Sequence, residues 1–182
     1  VLPTPRDNDQ FRRENDAMRQ GGKASFAPPD DTPPEALADG LAAIRYVRDH
    51  ATEFGIDPKR VGFMGFSAGG FLSRSVVAQG GADAPDFVAP IYPNMAPMDV
   101  PANAPPVFVA IAADDFLLLR EKGLPLVDSY RAAGAPLEFH LLANGGHGFG
   151  LANGTKGKAS EDWIELLYRW MGTIGVLESE VK

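Results

Sequence analysis

The chain has 182 residues, enough for one domain with a proper core, and its 45% hydrophobic and 23% charged content is that of a globular protein. A net charge of −7 argues against nucleic acid and anionic membrane surfaces as partners, since both favour basic patches, and no apolar run reaches the length of a membrane span. With no cysteine there is no disulfide framework and no thiol chemistry, which fits the cytoplasm and secretion alike and leaves the compartment open.

Residues 1–34 are rich in Pro, Asp, Asn and Arg and read as an irregular N-terminal segment. Within it, Asn8 to Gln20 can form a short, weakly amphipathic helix that Gly21-Gly22 stops. A long helix then starts near Pro33-Pro34-Glu35, with prolines and an early acid suited to a first turn. Leu37, Leu41, Ile44, Val47, Ala51 and Phe54 recur along it at helical spacing, and Gly55 ends it. Ile56-Asp57-Pro58 turns the chain into a strand from Arg60 to Phe66. Gly69 to Gln79 reads as a buried helix closed by Gly80-Gly81, and Phe87 to Tyr92 as a short apolar strand.

Residues 93–106 are a loop heavy in Pro, Ala and Met. The unbroken apolar run Val107 to Ala112 is that of a strand covered on both faces. Pro125 to Ala133 suits a short helix ended by Gly134, and Leu137 to Leu142 a further strand. Ser160 can cap a last helix whose face carries Trp163, Leu166, Leu167 and Trp170. Strands alternating with helices and the absence of internal repeats predict the α/β class: a mostly parallel sheet flanked by helices, with right-handed crossovers. The expected core spans residues 35–172, with 173–182 as a tail.

Gly65-Phe66-Ser67-Ala68-Gly69 follows a predicted strand and opens a predicted helix. Gly-x-Ser-x-Gly in that context is a nucleophile elbow, a tight turn that holds the serine hydroxyl out above the end of a sheet. Both flanking glycines are expected to serve where strand and helix backbones pass too closely for a Cβ. A serine hydroxyl needs a neighbouring base, usually a histidine oriented by a carboxylate. Of the three histidines, His50 falls in the C-terminal part of the long helix, where it faces solvent or complements the dipole. His140 lies inside a strand and reads as structural. His147 sits in Asn144-Gly-Gly-His-Gly-Phe-Gly150, a glycine-dense loop directly after a strand. Such loops, at strand carboxyl ends, are where open α/β sheets place their sites. Asp114 and Asp115 follow another strand in the same way, and either one can serve as the carboxylate.

The serial order Ser, Asp, His is that of an α/β-hydrolase, and at this point the chain resembles that superfamily. More narrowly it is similar to bacterial esterases related to acetyl xylan esterases and to the hormone-sensitive-lipase group. The resemblance runs from about residue 33 to residue 171. It is carried by Gly-Ile-Asp-Pro-Lys-Arg-Val-Gly-Phe-Met-Gly-Phe-Ser-Ala-Gly-Gly at 55–70, Ala-Ala-Asp-Asp at 112–115 and Gly-Gly-His-Gly-Phe-Gly at 145–150. In those relatives the acid stands just before a Pro-x-Val-like segment. Phe116-Leu117-Leu118 takes that place here, so the resemblance selects Asp115, with Asp114 as the alternative acid. Hormone-sensitive-group lipases carry Asp where this chain has Phe66, a departure toward the carbohydrate-esterase side.

The resemblance implies a serine carboxylesterase acting on short-acyl esters, acetylated carbohydrate among them, through Ser67, Asp115 and His147. The backbone N–H of Ala68 would donate to the oxyanion. No metal or organic cofactor is required, and no His/Cys/Asp/Glu cluster in the sequence has metal-ligand spacing. The family's second oxyanion donor comes from a His-Gly-Gly-Gly-type loop, and no such motif precedes Ser67. Gly21-Gly22 follows a polar segment and does not read as that loop.

Residue 1 is Val, so the expectation is a chain lacking the N-terminal part of the fold, with Val1-Leu2 a remnant of the strand before the long helix. One sheet edge would then be exposed and open to pairing with another chain, including a second copy. Met95 and Met98 of the 93–106 loop could line an acyl site or lie on the surface. Two other readings are an interaction module that keeps the triad residues without using them, and a serine peptidase or thioesterase on the same fold.

Overall fold

The computed structural model describes residues 6–20, 32–151 and 155–177. The parallel sheet is present: β1 (Gly62–Phe66), β2 (Phe87–Ile91), β3 (Val107–Ala112) and β4 (Leu137–Leu142) lie side by side in chain order, all parallel. Seven α-helices accompany them among the described residues: α1 (Asn8–Arg19), α2 (Pro34–Asp49), α3 (Ala51–Phe54), α4 (Ala68–Gln79), α5 (Phe116–Leu119), α6 (Pro125–Ala133) and α7 (Trp163–Thr173). The Gly21-Gly22 stop and the Val1-Leu2 strand remnant lie outside the described residues.

The all-apolar run of β3 is explained by its position between β2 and β4, where all six of its residues are buried. Phe108 stacks against Trp170 of α7, which also meets Phe87 of β2 edge-on. Leu126 and Tyr130 of α6 are buried in the same core. Burial pushes the Tyr130 phenol up to about 12, partly offset by the Arg74 charge. On the other side of the molecule Ile44 of α2, Val61 and Val76 of α4 form a second apolar cluster. α2 comes close to α4 at Gly40, where a Cβ would stand 3.3 Å from Leu72.

Arg48 fastens α2 to the sheet. Its Nη2 donates to the Ala84 carbonyl and to Asp86 Oδ2, both at 2.9 Å, and the same carboxylate oxygen accepts the Val61 N–H. The start of β2 and the approach to β1 are thereby tied to one helix.

The structure corrects the predicted elements in several places. The long helix from Pro33 to Phe54 is two helices, because His50 leaves helical geometry at φ −103°, ψ 15°. The His50 side chain accounts for the break: Nδ1 bonds the Tyr46 carbonyl at 2.8 Å, and the ring stacks on Tyr46. Gly55 does end the segment, in the left-handed conformation. α7 is not capped by Ser160. Its N-cap is Asp162, without a side-chain bond, and Ser160 is instead fully buried against Gly145. α5 was not expected at all. The methionine loop does not behave as a unit, because Met95 is completely buried in the main core and only Met98 borders a surface hollow.

β1 and β4 are the outer strands of the four. Met64 on β1 is 49% exposed, and Tyr46, Phe54 and Ile56 from α2, α3 and the turn after them are also exposed.

Candidate active site

The carboxyl ends of β1, β3 and β4 deliver the three side chains that the sequence singled out. Ser67 lies between β1 and α4 at φ 52°, ψ −112°, a conformation that an L-residue adopts only when its surroundings enforce it. Two backbone bonds do so. The Ser67 N–H donates to the Ile91 carbonyl at the end of β2, and its carbonyl accepts the Phe71 N–H as the first bond of α4.

Of the two glycines flanking the turn, one has the expected steric role and the other does not. A Cβ on Gly65 would stand 2.1 Å from the Gly69 carbonyl oxygen, so this glycine is required where strand and helix pass. Gly69 itself faces open space and has no such steric role. The close approach on the helix side belongs to Gly70, whose Cβ would lie 3.1 Å from Pro93 and 3.3 Å from the Ile91 carbonyl oxygen.

His147 Nε2 lies 2.7 Å from Ser67 Oγ, across 80 residues of sequence. The other ring nitrogen, Nδ1, faces Asp115, 2.9 Å from Oδ2 and 3.1 Å from Oδ1. An ionised carboxylate only accepts, so Nδ1 carries the proton and Nε2 is left to accept from the serine hydroxyl. Phe116 and Tyr92 flank the imidazole, with ring centroids 4.6 and 5.1 Å away.

The two aspartates divide two tasks. Asp115 is fully buried and is the N-cap of α5, its Oδ1 accepting the Leu117 N–H at 2.8 Å. That bond orients the carboxylate toward His147. Asp114 is exposed and turns to the glycine loop, where Oδ1 accepts the Gly146 N–H at 2.8 Å. The alternative acid thus holds the backbone beside the histidine and not its ring.

The remaining candidates are placed as follows. Ala68 is exposed and is the first residue of α4, so its N–H has no acceptor within the helix and opens beside Ser67. His140 bonds Glu138 at 3.0 Å and packs on Phe108 within the sheet, away from Ser67. Among the described residues no group of three or more His, Cys, Asp or Glu is placed to hold a metal ion, and no helix is long and apolar enough to cross a membrane.

Two neighbours of the site escaped the sequence reading. Tyr92, at the end of β2, has φ 40° and packs against His147, Phe149 and Phe66. Burial, with the Asp115 charge nearby, pushes its phenol above the usual range, while a hydrogen bond from the Gly150 backbone opposes the shift. Trp163 donates its indole N–H to the Gly150 carbonyl at 2.8 Å and meets Phe66 edge-on. A Tyr-Pro pair ending an apolar strand was the one visible signal for Tyr92. Nothing in the spacing pointed to Trp163 beyond its place on a helix face.

A family model described as the alpha/beta hydrolase fold matches residues 26–103. An acetylxylan esterase of Xylanibacter ruminicola is 27% identical over 173 residues, covering 76% of this chain and 35% of that protein. Two solved structures superpose with a TM-score of 0.63 over 78% of the chain. One is an alpha/beta hydrolase enzyme from a Medee basin deep-sea metagenome library, 28% identical and 65% covered. The other is an acetyl ester-xyloside bifunctional hydrolase from Caldicellulosiruptor lactoaceticus, 25% identical and 66% covered. Esterase 2 of Thermogutta terrifontis, 21% identical with a TM-score of 0.65, shares the fold. The chain spans about a third of the length of the curated relative and about two thirds of the solved structures. The parallel sheet and these likenesses agree that the chain has the α/β-hydrolase fold over the part of its relatives that it spans.

Proposed function

We propose that the chain carries the catalytic triad of a serine carboxylesterase, with Ser67 as nucleophile, His147 as general base and acid, and Asp115 as the orienting carboxylate. The observation that carries this reading is the unbroken line of hydrogen bonds from Ser67 Oγ through the imidazole to a fully buried Asp115. His147 Nε2 takes the hydroxyl proton as Ser67 Oγ attacks an ester carbonyl, and Asp115 stabilises the imidazolium that results. The Ala68 N–H donates to the oxyanion. The tetrahedral intermediate collapses, His147 gives the proton to the departing alcohol, and water attacks the acyl-enzyme by the reverse sequence of proton transfers.

Short-acyl esters, acetylated carbohydrate among them, are the substrate class we infer. The support is the likeness to an acetylxylan esterase and to an acetyl ester-xyloside hydrolase, together with Phe66 in place of an aspartate before the nucleophile. A fluorophosphonate probe tests the reading. Labelling confined to Ser67, abolished in Ser67→Ala and nearly so in His147→Ala, supports it; a folded chain that takes up no probe overturns it. A p-nitrophenyl ester series run beside peptide and thioester substrates separates the esterase from a peptidase or thioesterase.

A further inference from the structure

The described residues include only two non-glycine positions with positive φ, Ser67 at 52° and Tyr92 at 40°. Both touch His147. Ser67 is strained because the elbow demands it, but Tyr92 has no place in the proton relay. A tyrosine in that conformation costs on the order of 1–3 kcal/mol and persists only where its surroundings over-determine it. Its surroundings do so from three directions. The Tyr92 N–H donates to the Ala110 carbonyl of β3 at 2.7 Å. Ile91, just before it, accepts the Ser67 N–H, and Pro93, just after it, packs on Gly70. The backbone turn at Tyr92 is therefore braced directly against the nucleophile elbow.

The side chain faces the opposite partner. The ring meets His147 at 5.1 Å and Phe149 at 4.7 Å, in both cases edge to face. Four glycines stand within residues 145–150, all with positive φ, so the loop backbone has little stiffness of its own. Its fixed points are Gly146, held by Asp114 at 2.8 Å, Gly150, held by Trp163, and the Phe149 ring packed on Tyr92.

We propose that Tyr92 and Asp114 are positioning residues that grip the histidine loop on either side of His147, and that the strained turn at Tyr92 sets the distance between the nucleophile elbow and the imidazole. Tyr92 is the link between the two halves of the site, since its backbone neighbours hold Ser67 and its side chain holds the loop. Asp114 is the independent second grip. The rate consequences rest on the esterase reading above, while the geometric claim does not.

The experiment compares wild type with Tyr92→Leu, Tyr92→Phe, Asp114→Ala and Asp114→Asn in two measurements. In the first, fluorophosphonate labelling of Ser67 is followed to saturation. A lost hydrogen bond or edge-to-face ring contact is worth about 1 kcal/mol, so Tyr92→Leu and Asp114→Ala should each lower the maximal labelling rate roughly fivefold, with the probe concentration for half-maximal rate unchanged. Asp114→Asn keeps an oxygen for the Gly146 N–H and should recover most of the rate lost in Asp114→Ala. Tyr92→Phe keeps the ring contacts and should label close to the wild-type rate, and a near-ultraviolet circular dichroism spectrum like that of wild type certifies the fold of Tyr92→Leu.

The second measurement follows solvent exchange of the His147 Nδ1 proton by NMR, which requires no turnover. Faster exchange in Tyr92→Leu and Asp114→Ala, with slow exchange in wild type, supports the positioning role. Labelling at the wild-type rate in both variants, or unchanged proton exchange, overturns it. If wild type takes up no probe, the esterase reading fails, and the exchange rates alone decide the positioning claim.

Discussion

The carboxyl ends of the strands and the outer face of α2 with the β1 edge are built on opposite terms. At the strand ends, Ser67, His147 and Asp115 join one line of hydrogen bonds, Asp114 holds the Gly146 N–H beside it, Tyr92 packs on the imidazole, and Asp115 is completely withdrawn from water. Along α2, α3 and β1, Tyr46, Phe54, Ile56 and Met64 stand half in solvent, held by little beyond their own helix or strand. Geometry at the first region is over-determined, so single changes there act on chemistry. The second region carries apolar surface without directional bonds, so changes there act on solubility and association. Reactivity and association are thus separable by mutation.

The largest effect expected is at the triad. Ser67→Ala or His147→Ala should lower kcat for a p-nitrophenyl ester by roughly 10⁶-fold, with the apolar outer face unaffected; a smaller loss would show that this line of hydrogen bonds is not the reacting one. Asp115→Asn should cost about 10⁴-fold by leaving the imidazole in the wrong tautomer, whereas Asp114→Asn should cost far less. Equal losses would erase the division of labour between the two carboxylates, and a ratio of the two kcat values measures it.

A smaller effect separates the glycines of the elbow. Gly65→Ala drives a methyl into the Gly69 carbonyl, where only backbone can yield, and should cost about 3 kcal/mol in urea unfolding. Gly69→Ala meets nothing and, by stiffening the helix, should add about 0.5–1 kcal/mol. The smallest effect belongs to the outer face. Met64→Lys should change stability by less than about 0.5 kcal/mol while suppressing any concentration-dependent association in sedimentation velocity. A marked loss of labelling at Ser67 in that variant would break the separation of the two regions.

How much of this was legible in the sequence follows the same divide between periodic and directional features. The strands and most helices came through because burial imposes period and apolar runs, as in Val107 to Ala112. The elbow came through because Gly65 is demanded by backbone contact and leaves a spacing. Direction was harder. Nothing in a Gly-Gly pair tells which glycine points at a neighbouring strand, and the steric role fell to Gly70 instead of Gly69. Asp114 and Asp115 are adjacent, so spacing could not separate them; the four-residue helix that Asp115 caps makes the difference. Ser160 had the chemistry of a cap but was drawn under Gly145, because tertiary packing outweighs a local preference worth about 1 kcal/mol. Tyr92 left no more than a Tyr-Pro pair at a strand end for a related reason: an enforced backbone angle has no compositional mark of its own.

The 80 residues between Ser67 and His147 have a consequence for how the protein is made. Synthesis delivers Ser67 long before His147, and β4 must pair with β3 before the glycine loop has a place to stand. Until then the hydroxyl is an ordinary alcohol, as inert as any serine on a nascent chain. On the proposed triad the hydroxyl gains its base only once β4 has joined the sheet, so uptake of a serine-directed probe would time that step of folding.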